Sequence, residues 1–227
     1  MFSWEIVRQR NDRTLIATLV APPLLVSIDW AYAFTMLEKP ALWDFERVTG
    51  LPWGEGRTQA AYDCLNRGYQ WLFFLDSDNI APQGGLMRLL SHRLPIVSAL
   101  YHQKFPTWTG LEVKYLPCMF HEGRDDKGNP RTVEVTDFQY GQLVEVAYAP
   151  AGCLLIHRSV FERMLASGIK RFFEWTLTAE NPQGRSEDFD LCTKARSIGF
   201  KVMVDTGIQC IHEAQAKVDI KGLSSKI

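Results

Sequence analysis

The sequence lacks an excess of charge of either sign. Its 25 lysine and arginine residues are balanced by 26 aspartate and glutamate residues, which gives a net charge of −1 over 227 residues. Surfaces that bind nucleic acid through its phosphates are usually strongly basic. We therefore expect no nucleic-acid-binding surface, although a local basic pocket for one diphosphate is compatible with this balance.

Closely spaced cysteines are also absent. The five cysteines are odd in number and none of them forms a Cys-x-x-Cys pair, which argues against a disulfide framework and a structural zinc site. Four of the five lie in apolar surroundings, so we expect them to be small buried residues. A reducing compartment fits, and we predict a cytoplasmic location with peripheral attachment to a membrane left open.

The chain has no clean apolar run of about 20 residues, the length that a membrane-spanning helix needs. The nearest candidate extends from Thr14 to Leu37, but Pro22 and Pro23 fall in its middle and Asp29 lies well inside it. A central aspartate costs about 2.5–3.5 kcal/mol on insertion scales. We predict a strand, a loop and a helix here, and no transmembrane segment.

What the sequence does contain is a series of short apolar runs that alternate with helical patterns. In the first hundred residues we predict strands at 14–20, 41–48, 70–75 and 95–101, helices at 27–37, 58–67 and 84–92, and a glycine loop at 53–57. Further on we predict strands at 144–149, 153–157, 201–204 and 208–211 and helices at 159–166, with Ser159 as N-cap, and at 187–198. The early alternation is typical of a parallel α/β sheet.

These patterns predict one α/β domain over residues 1–227. Its core would cover about 14–213, and 217–227 would be a loose tail. We expect a mostly parallel central sheet flanked by helices, with a smaller mixed or antiparallel sheet formed by the second half of the chain.

Two carboxylates one residue apart, Asp76 and Asp78, directly follow a fully apolar strand. In open α/β sheets, ligands bind beyond the carboxyl ends of the strands. Hard oxygen ligands at such a place suit Mg²⁺ or Mn²⁺, with a nucleotide diphosphate completing the shell. The alternative is a turn in which these side chains only satisfy backbone groups.

Two further signals lie late in the chain. Glu187 and Asp188 follow Ser186 at the start of a predicted helix, where they could equally be cap residues favoured by the helix dipole. His212 ends the last apolar stretch, and a neutral imidazole is a good ligand for a first-row divalent metal. Taken alone, such a histidine is more often an ordinary surface or core residue.

In combination and in this order, the three signals resemble glycosyltransferases of the GT-A fold, most closely the family-2-like group. The strand that ends in Asp76-Ser77-Asp78 resembles the metal-binding motif, and Ser186-Glu187-Asp188 resembles the x-Glu-Asp motif. The run from Gly199 to Val202 resembles the strand that leads to the late histidine, here His212. The resemblance covers roughly residues 14 to 213 and implies a Rossmann-like GT-A sheet with a smaller acceptor-side sheet.

The resemblance also implies a role for each residue. Asp78 and His212 would bind Mn²⁺ or Mg²⁺, and Asp76 would contact the ribose or a metal-bound water. Asp188 would be the catalytic base, and Glu187 would orient the acceptor or the base. The donor, a UDP- or GDP-sugar, would be bound by Arg57, Asp76, Ser77, Asp78, His102 and Lys104, with Arg57 contacting the diphosphate.

The implied activity is a metal-dependent transfer of a sugar to the hydroxyl of a glycan or another acceptor, with inversion. The chain departs from the family in two places: it has no Gln-x-x-Arg-Trp motif, and Ala21-Pro22-Pro23 stands where the family carries a nucleotide-contacting acid. The first departure argues against a processive polysaccharide synthase. Two alternatives stay open, a nucleotidyltransferase that uses the same acidic metal site and a non-catalytic module that binds a nucleotide or a glycan.

Overall fold

The computed structural model of the chain describes residues 12–20, 25–104, 107–109, 112–124, 126, 128, 130–176, 184–213, 218–219 and 222–223. The predicted break at Ala21-Pro22-Pro23 lies outside the described residues. So does the predicted tail at 217–227, apart from a short strand pair at 218–219 and 222–223.

Helices and strands largely alternate over the first hundred residues of the described chain, and a run of strands then precedes the last two helices. The helices are α1 (Ile28–Met36), α2 (Trp53–Asn66), α3 (Gly85–Ser91), α4 (Arg158–Ala166) and α5 (Glu187–Ser197). The strands are β1 (Thr14–Leu19), β2 (Trp43–Val48), β3 (Trp71–Leu75), β4 (Asn79–Ile80), β5 (Ile96–Leu100), β6 (Thr107–Thr109), β7 (Glu112–Lys114), β8 (Phe120–Arg124), β9 (Pro130–Glu134), β10 (Leu143–Val146), β11 (Cys153–His157), β12 (Val202–Gln209), β13 (Ile211–His212), β14 (Val218–Asp219) and β15 (Gly222–Leu223). Among the residues described, no helix combines the length and the apolar character needed to cross a membrane.

A seven-stranded sheet in the order β10-β12-β5-β11-β3-β1-β2 forms the centre of the fold. Five of its strands run in one direction, while β10 and β11 run in the opposite direction. Small two-stranded antiparallel sheets accompany it, formed by β4 with β13, β6 with β7, β8 with β9 and β14 with β15. The predicted mostly parallel α/β sheet with a smaller antiparallel part is confirmed.

The hydrophobic core is built around the central strands. Every residue of β1, β3 and β5 is buried, as expected for strands that are covered on both faces. Side chains such as Phe73 and Phe74 are fully buried, and each large apolar side chain contributes about 1.5–3 kcal/mol when it is buried completely. All five cysteines are free and buried, which confirms their predicted place in the core.

The position of β11 was not evident from the sequence. This strand comes late in the chain, yet it inserts between β3 and β5 and is antiparallel to both, with Leu154 opposite Phe74 on one side and Ser98 on the other. Because β11 runs against its neighbours, its first residue, Cys153, lies beside Leu75 at the carboxyl end of β3. The loop before β11 therefore reaches the same edge of the sheet as the loops after β3 and β5.

The predicted glycine loop at 53–57 is wrong, because these residues form the beginning of α2. A Cβ atom on Gly54 would lie 2.8 Å from the carbonyl oxygen of Phe173, and one on Gly56 would lie 2.8 Å from Cγ1 of Val48. The glycines are therefore needed for close packing of a helix rather than for a turn.

Two other predicted boundaries differ from the structure. Helix α4 is capped by His157, whose Nδ1 accepts a hydrogen bond from the backbone N–H of Ser159, so Ser159 is not the N-cap. The strands predicted at 201–204 and 208–211 are largely one strand, β12, whose pairing with β5 shifts register between Asp205 and Gln209. The apolar pattern of residues 201–211 is interrupted in the middle, and it does not show that one strand continues there with a shift in register.

A buried ion cluster fastens β12 to α3 at this irregularity. The carboxylate of Asp205 is fully buried and accepts hydrogen bonds from Nε and Nη2 of Arg88 at 2.6 and 2.8 Å and from the backbone N–H of Gly207 at 2.8 Å. Nε2 of His92 lies 2.7 Å from it. Burial alone would raise the pKa of Asp205, but the hydrogen bonds from His92, Arg88 and Gly207 lower it below its ordinary value.

The substitution Asp205→Asn is expected to lower the free energy of unfolding at neutral pH by about 1–3 kcal/mol, because it weakens every bond of this cluster. Since the folded-state pKa is depressed, the carboxylate stabilises the fold above its unfolded pKa of about 4 and loses this effect as the pH falls through the folded pKa. The difference between wild type and variant, measured by chemical denaturation, should therefore shrink on acidification.

A control for this experiment is Glu145→Gln, which changes an exposed carboxylate paired with Lys201 at 2.6 Å. Exposed pairs of this kind contribute little, so the control should change stability by less than about 0.5 kcal/mol. If both variants lost the same free energy of unfolding, the buried cluster would contribute no more to stability than an exposed ion pair.

Candidate active site

Four loops meet at one edge of the central sheet. They follow β3, β5 and β12 and precede β11, and open α/β sheets bind their ligands at such an edge. The backbone N–H of Asp76, directly after β3, donates a hydrogen bond of 2.9 Å to the carbonyl oxygen of Gly152, directly before β11. The predicted site residues are gathered around this junction.

The guanidinium of Arg57 joins the two acidic motifs. Its Nη2 lies 2.7 Å from Oδ2 of Asp76 and its Nε lies 3.3 Å from Oε1 of Glu187, and the side chain is only 3% exposed. Nη1 donates to the carbonyl oxygen of Ala151 at 3.5 Å, and the group lies over the ring of Phe74. Burial by itself would lower the pKa of Arg57, but the two carboxylates raise it above its ordinary value, so the cation is fixed.

Among the described residues, one carboxylate oxygen of Asp76 has no hydrogen-bond partner. Its Oδ2 is bound by Arg57, whereas Oδ1 is buried and accepts no hydrogen bond from the described residues. Burial raises the pKa of Asp76, an effect that Arg57 opposes. The indole N–H of Trp30 donates to the backbone carbonyl of Asp76 at 2.9 Å and fixes the loop. A buried unpaired oxygen is costly, so it points to a ligand that binds here.

Asp188 lies at the start of α5, held by three donors. Oδ1 accepts from the hydroxyl of Ser186 and, at 2.8 Å, from the backbone N–H of Phe189, and Oδ2 accepts from the N–H of Ala151 at 3.4 Å. Burial and the neighbouring charge of Glu187 raise the pKa of Asp188 to about 6. A carboxylate with this pKa can accept a proton near neutral pH.

A second group forms around Asp78. Nζ of Lys104 lies 2.5 Å from its Oδ2, and Nε2 of His212 lies 3.9 Å from its Oδ1. The pairing of β13 with β4 places His212 opposite Asn79, and the N–H of Glu213 donates to the carbonyl oxygen of Asp78 at 2.8 Å. This short sheet places residues 211–213, which come late in the chain, beside the loop after β3.

The imidazole of His212 is oriented by its other nitrogen. Nδ1 lies 2.8 Å from the carbonyl oxygen of His102. A carbonyl only accepts, so in the neutral ring Nδ1 carries the proton and the lone pair of Nε2 faces Asp78. Burial lowers the pKa of His212, which favours this neutral form. His102 thus contributes its backbone, and Ser77 lies half-buried between the two aspartates.

These residues fit a divalent cation as a partial set. Within the described ranges, no three His, Cys, Asp or Glu side chains are grouped as a complete metal site, and Asp76 directs one oxygen to Arg57. Asp78 and His212 are therefore the two candidate metal ligands. Two ligands at about 2.1 Å from one octahedral ion lie about 3.0 Å apart when adjacent and about 4.2 Å apart when opposite, so at 3.9 Å the two side chains need only a small movement to bind one ion. Mg²⁺ commonly takes its other ligands from water and substrate phosphates.

A cleft of about 450 Å³ opens beside Asp78 and its partners. It is lined by His102, Gln103, Lys104, Tyr115, Cys210, Ile211 and His212. This volume lies within the range of about 300–1,000 Å³ that is typical of small-molecule sites.

Sequence reasoning missed Gly152 and Trp30. A Cβ atom on Gly152 would lie 2.5 Å from Nδ2 of Asn79 and 2.7 Å from the hydroxyl of Tyr101, which accepts a 3.0 Å hydrogen bond from the N–H of Gly152. A glycine before a buried strand is a signal of close backbone approach. The indole contact of Trp30 had no such signal, because it depends on how α1 packs on the sheet.

No protein-family model and no curated protein matches the sequence. Solved structures match its fold. The protein A197 from STIV aligns with a TM-score of 0.55 at 12% identity, over 95% of each chain. GalNAc-T7, solved with UDP, GalNAc and Mn²⁺, aligns with a TM-score of 0.50 at 11% identity, over 91% of this chain and 45% of that chain. The fold is GT-A-like.

The likeness to a UDP-glucose pyrophosphorylase complexed with UDP-glucose is weaker, with a TM-score of 0.43 at 8% identity over 88% of this chain and 91% of that one. At these identities, the comparisons show the fold alone. The roles predicted for the site residues stay predictions.

The variant Arg57→Met should lower the free energy of unfolding by about 3–5 kcal/mol, because it leaves two buried carboxylates without their cation. Arg57→Lys keeps the charge but cannot reach Asp76 and Glu187 with one planar group, so it should recover only part of the loss. Chemical denaturation measures both variants.

The double variant Arg57→Met with Glu187→Gln is the matched test of the ion pair. Without Arg57, the buried charge of Glu187 has no cationic partner and destabilises the fold. The double variant should therefore be more stable than Arg57→Met alone. Additive losses, or a loss below about 1 kcal/mol in Arg57→Met, would mean that the bridge does not hold the two motifs together.

Proposed function

We propose that this chain transfers a sugar from a nucleoside-diphosphate sugar to an acceptor hydroxyl, with the assistance of a divalent cation. One observation carries the proposal: two acidic motifs, more than a hundred residues apart in sequence, and a late histidine lie at the edge of a GT-A-like sheet where open α/β sheets bind their ligands. The neighbouring cleft offers room for a substrate. The UDP, GalNAc and Mn²⁺ in the GalNAc-T7 structure support a nucleotide-sugar donor and a metal, and UDP- and GDP-sugars both remain candidate donors.

The donor would bind between the two groups of side chains. Asp76 offers its unpaired Oδ1 to a ribose hydroxyl or to a bound water. Lys104 is the cation that can reach a diphosphate, because the guanidinium of Arg57 is already bound by two carboxylates. His102, which lines the cleft, and Ser77, in the loop after β3, would also contact the donor. Arg57 therefore acts as a positioning residue in this proposal.

Asp78 and His212 would hold Mn²⁺ or Mg²⁺. When bound there, such an ion neutralises charge that develops on the leaving diphosphate. The Nδ1–H of His212 is bound to a backbone carbonyl, which orients the ring toward the ion. The fold already orients the His212 ring, so metal binding does not require the ring to rotate.

Asp188 would take the proton from the acceptor hydroxyl as its oxygen forms a bond to the anomeric carbon. The bond from that carbon to the diphosphate oxygen breaks, and the nucleoside diphosphate leaves. Such a single displacement inverts the anomeric centre. Glu187 contributes by holding Arg57 and by raising the pKa of Asp188.

Asp188→Asn should reduce sugar transfer by about 10²–10⁴-fold, because it removes the base. The fold should lose little: burial disfavours the charged carboxylate, which offsets the loss of an acceptor oxygen for one of the three donors, so the melting temperature at neutral pH should stay close to that of the wild type. Release of nucleoside diphosphate from UDP- and GDP-sugars, with a panel of saccharide acceptors, measures the reaction.

Asp190→Asn, the same change two residues further along α5 at a carboxylate paired with Lys194, serves as the control and should keep transfer per folded molecule near that of the wild type. Near-normal transfer by Asp188→Asn would remove Asp188 from the role of base. Release of pyrophosphate from a nucleoside triphosphate and a sugar phosphate, without transfer from either nucleotide sugar, would indicate a nucleotidyltransferase instead. Donor binding without turnover would indicate a binding module.

The pH dependence of kcat/KM provides a further test. The base must be deprotonated to act, so activity should rise with pH through about 6, the pKa to which burial and Glu187 raise Asp188. In Glu187→Gln the acid limb should move to lower pH, because a negative charge beside Asp188 is removed. An acid limb that stays in place in this variant would speak against Asp188 as the titrating group.

A further inference from the structure

The carboxylate of Asp78 already has a cationic partner within the protein. Nζ of Lys104 lies 2.5 Å from Oδ2, while Oδ1 of the same carboxylate accepts a 3.1 Å hydrogen bond from Nδ2 of Asn79 and lies 3.9 Å from Nε2 of His212. The proposed metal ligand is therefore shared between a lysine on one side and an imidazole on the other. Arg57, the other cation of the site, is buried and bound to different acids.

An ammonium group and a divalent cation repel each other strongly when both lie against one carboxylate. Binding of a metal between Asp78 and His212 thus favours departure of the lysine. Lys104 is able to leave, since its side chain is 29% exposed, carries a flexible four-carbon stem and lines the open cleft. A nucleoside diphosphate in that cleft would offer it a new anionic partner.

We propose that Lys104 is a resident cation that occupies Asp78 until metal and donor arrive together, and then pairs with the donor diphosphate. This inference rests on the proposed function for the metal pair Asp78 and His212. It gives Lys104 a role beyond donor contact: the lysine weakens metal binding in the absence of nucleotide and makes metal affinity depend on the nucleotide.

The coupling has a definite sign. Removal of the ammonium should strengthen binding of the metal alone, because a competitor for Asp78 is lost. The same change should weaken the gain in metal affinity that a nucleoside diphosphate brings, because the diphosphate loses a cationic partner. If Lys104 only neutralised Asp78 as part of the fold, its removal would change the free energy of unfolding. It would not strengthen binding of the metal alone while weakening the effect of the nucleotide on metal affinity.

The test is the Kd of Mn²⁺, measured from the electron paramagnetic resonance signal of free Mn²⁺, with and without UDP or GDP. Lys104→Met should bind Mn²⁺ alone about fivefold more tightly than the wild type and gain less affinity from the nucleotide. Lys104→Gln provides a second neutral variant should the first fail to fold, and Lys104→Arg should keep the weak wild-type affinity.

Lys201→Met is the matched control, since it removes the same charge from an exposed pair with Glu145. Its Mn²⁺ affinity should stay within about twofold of the wild type. Equal Mn²⁺ affinities in wild type, Lys104→Met and Lys104→Gln, together with weaker binding in His212→Ala, would overturn the role of Lys104 and leave the metal pair standing. Absence of Mn²⁺ binding in every variant, with and without nucleotide, would overturn the metal pair as well.

Discussion

The pairing of one buried guanidinium with two carboxylates is the interaction on which the site depends. Arg57 comes from α2, Asp76 from the loop after β3 and Glu187 from the start of α5, and the second acid is 130 residues away in sequence. Three charges at this depth are tolerated only when they are paired with one another. The strand order brings the two acids to one edge of the sheet, and the arginine offsets the repulsion between them.

The site has two parts with different properties, one around Arg57 and one around Asp78. The side chains of Arg57, Asp76 and Glu187 are largely buried and paired with one another, and the charge of Glu187 together with burial raises the pKa of Asp188. The side chains of Asp78 and Lys104 are more exposed, and Lys104 lines the cleft. Proton transfer requires a base in a set position, and exchange of ions and substrates requires side chains that can move, so the division suits the proposed reaction.

The sequence predicted those features that depend on local pattern. Fully apolar runs identified β1, β3 and β5 as buried strands, and the rule that ligands bind beyond strand ends pointed to Asp76 and Asp78. Features that depend on packing could not be read in this way. The insertion of β11 between β3 and β5 joins distant segments, and an apolar run does not record which partner it will pair with.

The same limit applies to side-chain partners. The family resemblance implied that Arg57 contacts a diphosphate, whereas its guanidinium is bound to the carboxylates of Asp76 and Glu187. Gly54 and Gly56, which were predicted to form a loop, allow α2 to pack closely. The contact between Lys104 and Asp78 arises because the loops after β3 and β5 meet at one edge, a fact of topology rather than of motif.

The most direct test of the proposed function is a calorimetric titration of the wild-type protein with UDP and with GDP, each in the presence and absence of Mn²⁺. We expect one nucleoside diphosphate to bind, and to bind much more tightly when Mn²⁺ is present, because metal and diphosphate complete each other's contacts at Asp78 and His212. No binding of either nucleotide, or binding that is indifferent to Mn²⁺, would contradict a metal-assisted nucleotide-sugar site at this edge of the sheet.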